Sequence, residues 1–341
     1  MLDLPFMEPK ALLAIESSCD DCAVAVLNGQ GEILSDLVHS QIEPHAPFGG
    51  IVPEIASRQH LFKIAELVRE SFVRAGQAPR DIEAVAVTNQ PGLIGSLLVG
   101  AQFAKGFAQA LDIPILGIHH IEGHLLAGWG EPNFPQPPFL GLVASGGHSS
   151  LYHVDADYEI RLLGQTLDDA AGEAFDKIGR LLGLPYPAGK EIDGLAKKGD
   201  PNRFVFPTAF KHQDTLNYSF SGLKTAARRM IERSQYHEQD RADFCASLQK
   251  NIAEALVAKI RLAVSKTGVR NVVAGGGVSA NSALRSELIA LGASDHLPIY
   301  LPPTHRCVDN AVMIARAALR RFKSGERHRL DFPVEASSNW C

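Results

Sequence analysis

The sequence predicts an α/β protein of two lobes, each opening on a β-hairpin. Its 341 residues exceed the roughly 100 to 200 that one core usually organises. Residues 11–29, ALLAIESSCDDCAVAVLNG, run from an apolar stretch through small and acidic residues into a second apolar stretch, the pattern of two strands and a turn. Residues 139–154, FLGLVASGGHSSLYHV, repeat it with a glycine-rich turn.

ILSDLVHSQ at 33–41 extends the first hairpin as a third strand. After the turn-rich EPHAPFGGIVP, the stretch EIASRQHLFKIAELVRESFVRAG carries Ile55, Leu61, Ile64, Leu67 and Val68 at near-helical spacing. EAVAVTNQPG, SLLVGAQFAKGFAQAL and PILGIHH then read as strand, helix and strand, an alternation that implies a parallel sheet covered by helices. Beyond the second hairpin, helices are expected at about 170–183, 190–198, 220–234 and 240–267. A strand NVVAGGG, a helix from Asn281, a short strand IYLP and a closing helix after Asp309 follow. The proline-rich EPNFPQPP at 131–138 marks the seam. The expected lobes are 1–130, completed by about 303–341, and 131–302, facing each other across a central cleft.

Composition excludes several classes. Apolar residues make up 45% and charged residues 21%, which is globular rather than disordered or fibrous. No basic leader precedes an apolar core at the amino terminus, and no segment approaches the roughly 18 apolar residues of a membrane span. A cytoplasmic protein is expected. Cys19, Cys22, Cys245, Cys307 and Cys341 are odd in number and scattered, which does not make a disulfide framework. A net charge of −5 leaves only local clusters, such as Lys224 with Arg228 and Arg229, to meet a polyanion.

Four motifs carry chemistry. In His120-Ile121-Glu122-Gly123-His124 the two imidazoles, four apart, share one face of a helix and are able to bind one metal; a solvated helical pair is the plainer reading. Zinc-protease helices place Glu directly after the first His. Here Glu122 is shifted by one position, about 100° around the helix, so a peptidase would lack its base. Asp309 is the third candidate ligand by position, and equally a helix N-cap, a role worth about 1 kcal/mol.

Ser145-Gly146-Gly147-His148 lies between two strands, and Asp20-Asp21 occupies the matching turn of the first lobe. Glycines there let backbone N–H groups reach phosphate oxygens, and also make ordinary hairpin turns. Gly275-Gly276-Gly277, ahead of Ser279 and Asn281, fits neither the P-loop nor the dinucleotide fingerprint. It is either a strand-to-helix turn capped by Ser279 or Asn281, or a place where flat glycines admit an adenine ring. Asp176 in GEAFDK and Asp193 in PAGKEID are acceptors for ligand hydroxyls or simply solvated. Cys19-Asp-Asp-Cys22 has CxxC spacing without a second pair, a poor zinc or redox signal.

AIESSCDDCAVAV, PEIASRQH, TNQPGLIGSLLVG, HHIEGH, LVASGGHSSL, GEAFDKIGRLLGLPYPAG, FSGLKTA, VAGGGVSAN and CVDNAVMIA stand in the order of one family's blocks. The chain resembles, over essentially its whole length, the catalytic subunit of the bacterial tRNA threonylcarbamoyladenosine system. That family lies within the actin-like, ribonuclease H-like superfold of actin, sugar kinases and heat-shock ATPases. The resemblance implies a duplicated actin-like fold, and a divalent metal, iron favoured and zinc possible, on His120, His124 and Asp309. It implies that Val143, Ala144, Ser145, Gly146 and Gly147 form a phosphate loop, and that Asp176, Gly189, Asp193 and Asn281 bind an adenine nucleotide or threonylcarbamoyl-AMP. The acceptor it implies is N6 of the adenosine beside the anticodon in tRNAs reading codons that begin with A. The implied partners are tRNA, a non-catalytic paralogous subunit and a small ATPase subunit, with no membrane. Ala144 before Ser145 and Cys22 after Asp21 depart from the pattern without touching an implied ligand.

That chemistry needs no enzyme nucleophile. A mixed anhydride requires a polarised carbonyl and a held phosphate. Glu16, Asp20 and Asp21 are candidates for positioning or for taking the amine proton. A sugar-kinase-like ATPase of the same superfold, whose Mg²⁺ sits on phosphates and carboxylates, is the alternative by class. A metal-dependent peptidase is a further one.

Overall fold

The computed structural model describes residues 9–211, 213–232, 237–338 and 340. Residues 1–8, Asn339 and Cys341 of the expected lobes, and positions 233–234 of the expected third helix of the second half, lie outside the described residues. The chain forms two compact units, one reaching Pro132 and resuming at Asp309, the other comprising Asn133–Val308 with Trp340. The crossing at 132/133 falls inside the proline-rich stretch, and the return comes at Asp309 rather than near 303.

The first unit carries β1 (Ala11–Glu16), β2 (Asp21–Asn28), β3 (Ile33–Ser40), α1 (Ile42–His45), α2 (Pro53–Ala75), β4 (Ala84–Gln90), α3 (Ile94–Leu111), β5 (Ile115–His119) and α4 (His120–Leu125). The second carries β6 (Phe139–Ala144), β7 (Ser149–Val154), β8 (Ile160–Gln165), α5 (Ala171–Leu181), α6 (Gly189–Ala196), α7 (Ser221–Glu232), α8 (Arg241–Thr267), β9 (Val272–Gly275), α9 (Ser282–Asp295) and β10 (Ile299–Tyr300). Helix α10 (Ala311–Lys323) then returns to the first.

The sheets have the orders β3-β2-β1-β4-β5 and β8-β7-β6-β9-β10. In both, the first three strands are antiparallel neighbours and the last two add in parallel. The repeated hairpin is therefore the start of a repeated five-strand topology. Strands β1 and β6 are central and buried at every residue, which explains why they read as unbroken apolar runs instead of alternating.

In the first unit, Ile64, Leu67, Val68 and Phe72 of α2 join Leu13, Ile15, Val24 and Val26 in one core. Helix α10 packs against β1, β2 and α4. In the second unit, Phe244, Leu248, Ile252, Leu256 and Ile260, one per turn of α8, enter the core formed with β6 and β9. Each such side chain, moved fully out of water, stabilises the fold by about 1.5–3 kcal/mol.

The third strand of the second sheet, β8, is absent from the sequence-based expectation. It is an edge strand of which only Gly164 is buried, so IRLLGQ shows neither an alternating nor a continuous apolar pattern. Its register also slips against β7 between Leu151 and Tyr152, which spoils any period of two.

Helix α4 is fastened to α10 at two points. Gly123 lets them approach closely, since a Cβ there would lie 2.8 Å from Ile314 Cδ1 and 3.1 Å from Met313 Cγ. Glu122, 1% exposed, accepts from Arg321 Nε at 2.9 Å and Nη2 at 2.5 Å, with Arg320 Nη2 at 3.4 Å. Removing one partner of such a buried bidentate pair strands the other charge. Arg321→Met is expected to cost about 3 kcal/mol in denaturant unfolding of the metal-free protein, and adding Glu122→Met should restore most of it. A double variant as unstable as the single would show that the pair is not what joins these helices.

Candidate active site

The metal candidates converge within the first unit. Strand β5 ends at His119 and the chain turns at once into α4, placing His120 and His124 one turn apart with ring centroids 4.7 Å apart. Asp309 Oδ1 lies 3.6 Å from His120 Nε2 and 3.1 Å from His124 Nε2, and one ligand atom from each of the three falls within 4.8 Å of the others. Donors about 2.1 Å from a shared tetrahedral ion stand about 3.4 Å from one another, so the set fits a divalent metal. Two imidazoles and a carboxylate suit iron or zinc.

The competing role for Asp309 falls to its neighbour. Asn310 caps α10, its Oδ1 accepting from Met313 N at 3.0 Å, which leaves the Asp309 carboxylate turned to the histidines. The sequence analysis weighed Asp309 alone as the cap; the backbone gives that role to Asn310.

Glu16 ends β1 and is 0% exposed. Its Oε2 lies 3.0 Å from His120 Nδ1 and accepts from Thr88 Oγ1 at 2.5 Å, while Oε1 accepts from Ser18 N at 2.5 Å. Ser18 Oγ stands 3.1 Å from the same Nδ1. A carboxylate on the far nitrogen of a ligating imidazole orients the ring and leaves Nε2 for the metal. Enclosed this way, Glu16 is placed to hold the His120 ring, and its carboxylate faces protein groups rather than solvent. Ser18 and Thr88 were missed in the sequence, where a single hydroxyl at a strand end carries no signal.

The other two acidic candidates are Asp20, in the turn that follows, and Asp21, which opens β2; both are half-buried. Burial, then the charges of Asp309 and Asp20, push Asp21 up to about 7; burial and Asp309 also raise Asp20. Asp21 Oδ1 is buried without a hydrogen-bond partner. Cys19 and Cys22 are free thiols, and burial raises both, Cys22 to about 12. Neither is a thiolate nucleophile near neutral pH.

The candidate ligand residues of the second unit fall into three groups. Val143 and Ala144 are buried in β6, and Ser145, Gly146 and Gly147 form the turn into β7. Ser145 N donates to His148 O at 2.7 Å and Ser145 Oγ accepts from His148 N at 3.1 Å. A Cβ at Gly146 or Gly147 would meet nothing within 4 Å, so this turn leaves room for a ligand. Gly189, the first residue of α6, is equally open. Asp176 Oδ1 accepts from Ala188 N at 2.8 Å, tying α5 to the start of α6.

Asp193 and Asn281 meet around the N-terminus of α9. Asn281 Oδ1 caps it, accepting from Ala283 N at 3.0 Å and Leu284 N at 3.1 Å, and Nδ2 donates to Gln249 Oε1 at 3.0 Å. Asp193 Oδ1 accepts from Ser282 Oγ at 2.5 Å and Ser282 N at 3.1 Å. The capping role weighed for Asn281 is thus real, and Gln249 and Ser282 complete a network that the sequence did not reveal. It also missed Asp168, whose carboxylate takes Ser219 Oγ at 2.5 Å, Phe220 N at 2.8 Å, Ser221 N at 3.2 Å and Ser221 Oγ at 2.8 Å. That carboxylate fixes the start of α7, which carries exposed Arg228 and Arg229 and half-buried Lys224. An acidic pair ahead of a helix was the available hint.

Gly276 and Gly277 differ. Gly276 has φ +84° and a Cβ there would run into the Ala144 backbone, whereas at Gly277 it would meet only Val308 Cγ1 at 3.9 Å. Gly276 is required by the fold, so Gly276→Val would perturb β6 rather than fill a ring site.

Two units that repeat one five-strand order, one of them holding a His-His-Asp donor set, define a metal-binding member of the actin-like superfold. The structures of HypF from T. kodakarensis (TM-score 0.62, 15% identity, 94% of this chain and 48% of that one) and of component A of (R)-2-hydroxyglutaryl-CoA dehydratase from Acidaminococcus fermentans (TM-score 0.55, 14% identity, 92% and 98%) share the fold. A family model described as tRNA N6-adenosine threonylcarbamoyltransferase matches residues 32–316. Relatives of that name from Moorella thermoacetica (46% identity, 91% of this chain and 92% of the relative) and Anaeromyxobacter dehalogenans (48% identity, 93% and 95%) align along nearly the whole chain. The chain belongs to the tRNA N6-adenosine threonylcarbamoyltransferase family.

Two predictions follow from this geometry. In the metal-free protein burial lowers the His120 pKa, but Glu16 and Asp309 outweigh it and raise it from 6.5 to about 9. Protonated His120 therefore stabilises the metal-free fold fully below about pH 6.5, and that contribution disappears as pH rises through about 9. A metal must displace this proton, so affinity in a chelator competition is expected to climb about tenfold per unit between pH 7 and 9. Stoichiometry should be one metal per chain, lost in His120→Ala/His124→Ala; full occupancy of that double variant would remove the site. Second, Gly277→Val is expected to weaken adenine nucleotide binding at least tenfold by calorimetry with little change in melting temperature, while Gly276→Val lowers the melting temperature. Parent-like nucleotide affinity in Gly277→Val would move the purine elsewhere.

Proposed function

We propose that the chain transfers the threonylcarbamoyl group of threonylcarbamoyl-AMP to N6 of the adenosine next to the anticodon, in tRNAs reading codons that begin with A. Acyl transfer to N6 of a tRNA adenosine is the activity of the family to which the chain belongs. The observation that carries the reading is the His120, His124 and Asp309 donor set in a chain of this family. The donor, the tRNA position and the partners are this proposal's finer part.

In the reaction, N6 forms a bond to the carbamoyl carbon, the bond from that carbon to the phosphate oxygen breaks, AMP leaves, and N6 loses a proton. His120, His124 and Asp309 would hold the metal, iron in preference to zinc, which when bound supplies Lewis-acid polarisation of an oxygen. Glu16 keeps the His120 ring in register through Nδ1. Asp21, raised to about 7 before metal is bound, is the group of the acidic turn best matched to exchanging a proton near neutrality, with Asp20 beside it. In the second unit, the open turn at Ser145 to Gly147 suits the phosphate through its backbone N–H groups. Gly277 suits the adenine, and Asp176, Gly189, Asp193 and Asn281 suit the ribose and its surroundings.

The tRNA, a paralogous subunit and a small ATPase subunit are the proposed partners, in the cytoplasm. Among the described residues no helix is long and apolar enough to cross a membrane. With a net charge of −5, counterion release falls to local cationic patches of the chain. The patch proposed to touch RNA is Lys224, Arg228 and Arg229 on α7.

Labelled threonine, bicarbonate, ATP, the adenylate-forming enzyme and the partner subunits should together label tRNA only when this chain is added. The Lys224→Glu/Arg228→Glu/Arg229→Glu variant is expected to reduce labelling at least a hundredfold while binding adenylate like the parent. Labelling without this chain would refute the reading. Normal labelling by the triple variant would refute the RNA surface alone.

A further inference from the structure

Residues 165–172, which join β8 to α5, are fastened on two sides within the second unit. On one side, Thr166 N donates to Ser149 O at 2.8 Å, Ala171 N to Ser149 Oγ at 2.9 Å and Gly172 N to Ser145 O at 3.1 Å. A Cβ at Gly172 would lie 2.6 Å from Ser145 O and 2.8 Å from Gly146 Cα, so the segment lies directly against the open turn at Ser145 to Gly147. On the other side, Tyr218 N donates to Gln165 O at 2.9 Å and Leu167 N to Tyr218 O at 3.0 Å. Asp168 then meets the start of α7. Its Oδ1 accepts from Phe220 N at 2.8 Å and Ser221 N at 3.2 Å, and its Oδ2 from Ser219 Oγ at 2.5 Å and Ser221 Oγ at 2.8 Å.

The polarity of these bonds is fixed, because an ionised carboxylate only accepts and a backbone N–H only donates. Burial raises the Asp168 pKa, but the bonds from Ser219, Phe220 and Ser221 outweigh it and bring it below the usual carboxylate value, so the side chain is ionised near neutrality. Helix α7 needs such a fastening. It has 12 residues, at the edge of the roughly 12 to 15 below which an isolated helix is marginal in water. Of these, Leu223 and Ala227 are fully buried, and Ala226, Met230 and Ile231 are partly buried against the same core. An acceptor for the first N–H groups closes the end from which the helix would fray, and a negative charge there suits the helix dipole.

We propose that Asp168 is a positioning residue for the RNA acceptor: it holds α7, and with it Lys224, Arg228 and Arg229, in a fixed place relative to the turn that suits the donor's phosphate. The few residues from Asp168 to Gly172 thereby tie the acceptor-facing helix to the donor-facing turn. A helix that is only partly formed binds more weakly in proportion to the fraction formed, so a fastened α7 presents its cations before the RNA arrives. The inference rests on reading α7 as the RNA surface.

The test measures KM for tRNA and kcat in the complete labelling reaction, adenylate affinity by calorimetry, and hydrogen exchange along α7. It compares the full-length parent, Asp168→Ala, Asp168→Asn and Lys224→Glu/Arg228→Glu/Arg229→Glu. Asp168 is exposed, so Asp168→Ala opens no cavity and leaves the core intact. In that variant α7 is expected to exchange faster and KM for tRNA to rise about tenfold, the scale of a lost N-cap, with kcat at saturating tRNA and adenylate affinity unchanged. Asp168→Asn keeps an acceptor for Phe220 N and Ser221 N, and its amide is able to donate to the two hydroxyls, so it is expected to match the parent. Faster exchange in α7 with a parent-like KM would overturn the proposal, leaving Asp168 a stability element only. A fall in adenylate affinity as large as the rise in KM would overturn it in favour of a role at the turn. Normal labelling by the triple variant would instead remove the RNA reading on which it rests.

Discussion

A carboxylate that solvent never reaches, Glu16, sets the geometry of the metal site. Burial alone would raise its pKa, but the charge of His120 and the bonds from His120 and Ser18 bring the net shift downward, so it stays ionised where an isolated acid would be protonated. Glu16 ends the central strand of its sheet, Thr88 reaches it from the adjacent parallel strand, and His120 begins the helix after the strand beyond that. The hydrogen bonds thus convert strand register into ring orientation. A slip of one residue in β1 would turn Glu16 to the opposite face of the sheet and leave His120 to rotate.

The two units use one topology for different electrostatic ends. The first carries Cys19 and Asp20 in its hairpin turn, with Asp21 opening the next strand and His60 Nε2 2.8 Å from Cys19 O; the second fills the matching turn with serine and glycine. An acidic turn repels phosphate and favours cations, whereas backbone N–H groups in a neutral turn favour anions. The repeat therefore lets one fold present opposite local potentials, which a single copy of the hairpin cannot do with one sequence.

The features legible in the sequence are those whose signal is local and strong. Central strands read clearly because both faces are buried, and His120 and His124 because helical spacing is fixed. Asp309 was ambiguous because a metal ligand and an N-cap use the same side chain, and only the backbone at Asn310 separates them. Strand β8 gave no period because one edge faces water. Gln249, Ser282 and Asp168 act across 32 to 89 residues of sequence, and such contacts leave no pattern along the chain. Gly276 and Gly277 look identical in sequence, yet one is demanded by its own backbone and the other is open.

The division of labour between Asp309 and Asn310 reaches beyond the site itself. Because the cap that starts α10 is not the residue that faces the histidines, the requirements of folding and of ligation are written in separate codons. Selection can then change the ligand, and hence the preferred ion, without melting the helix. A lineage that lost the chemistry could likewise keep an intact scaffold of this shape as a non-catalytic subunit.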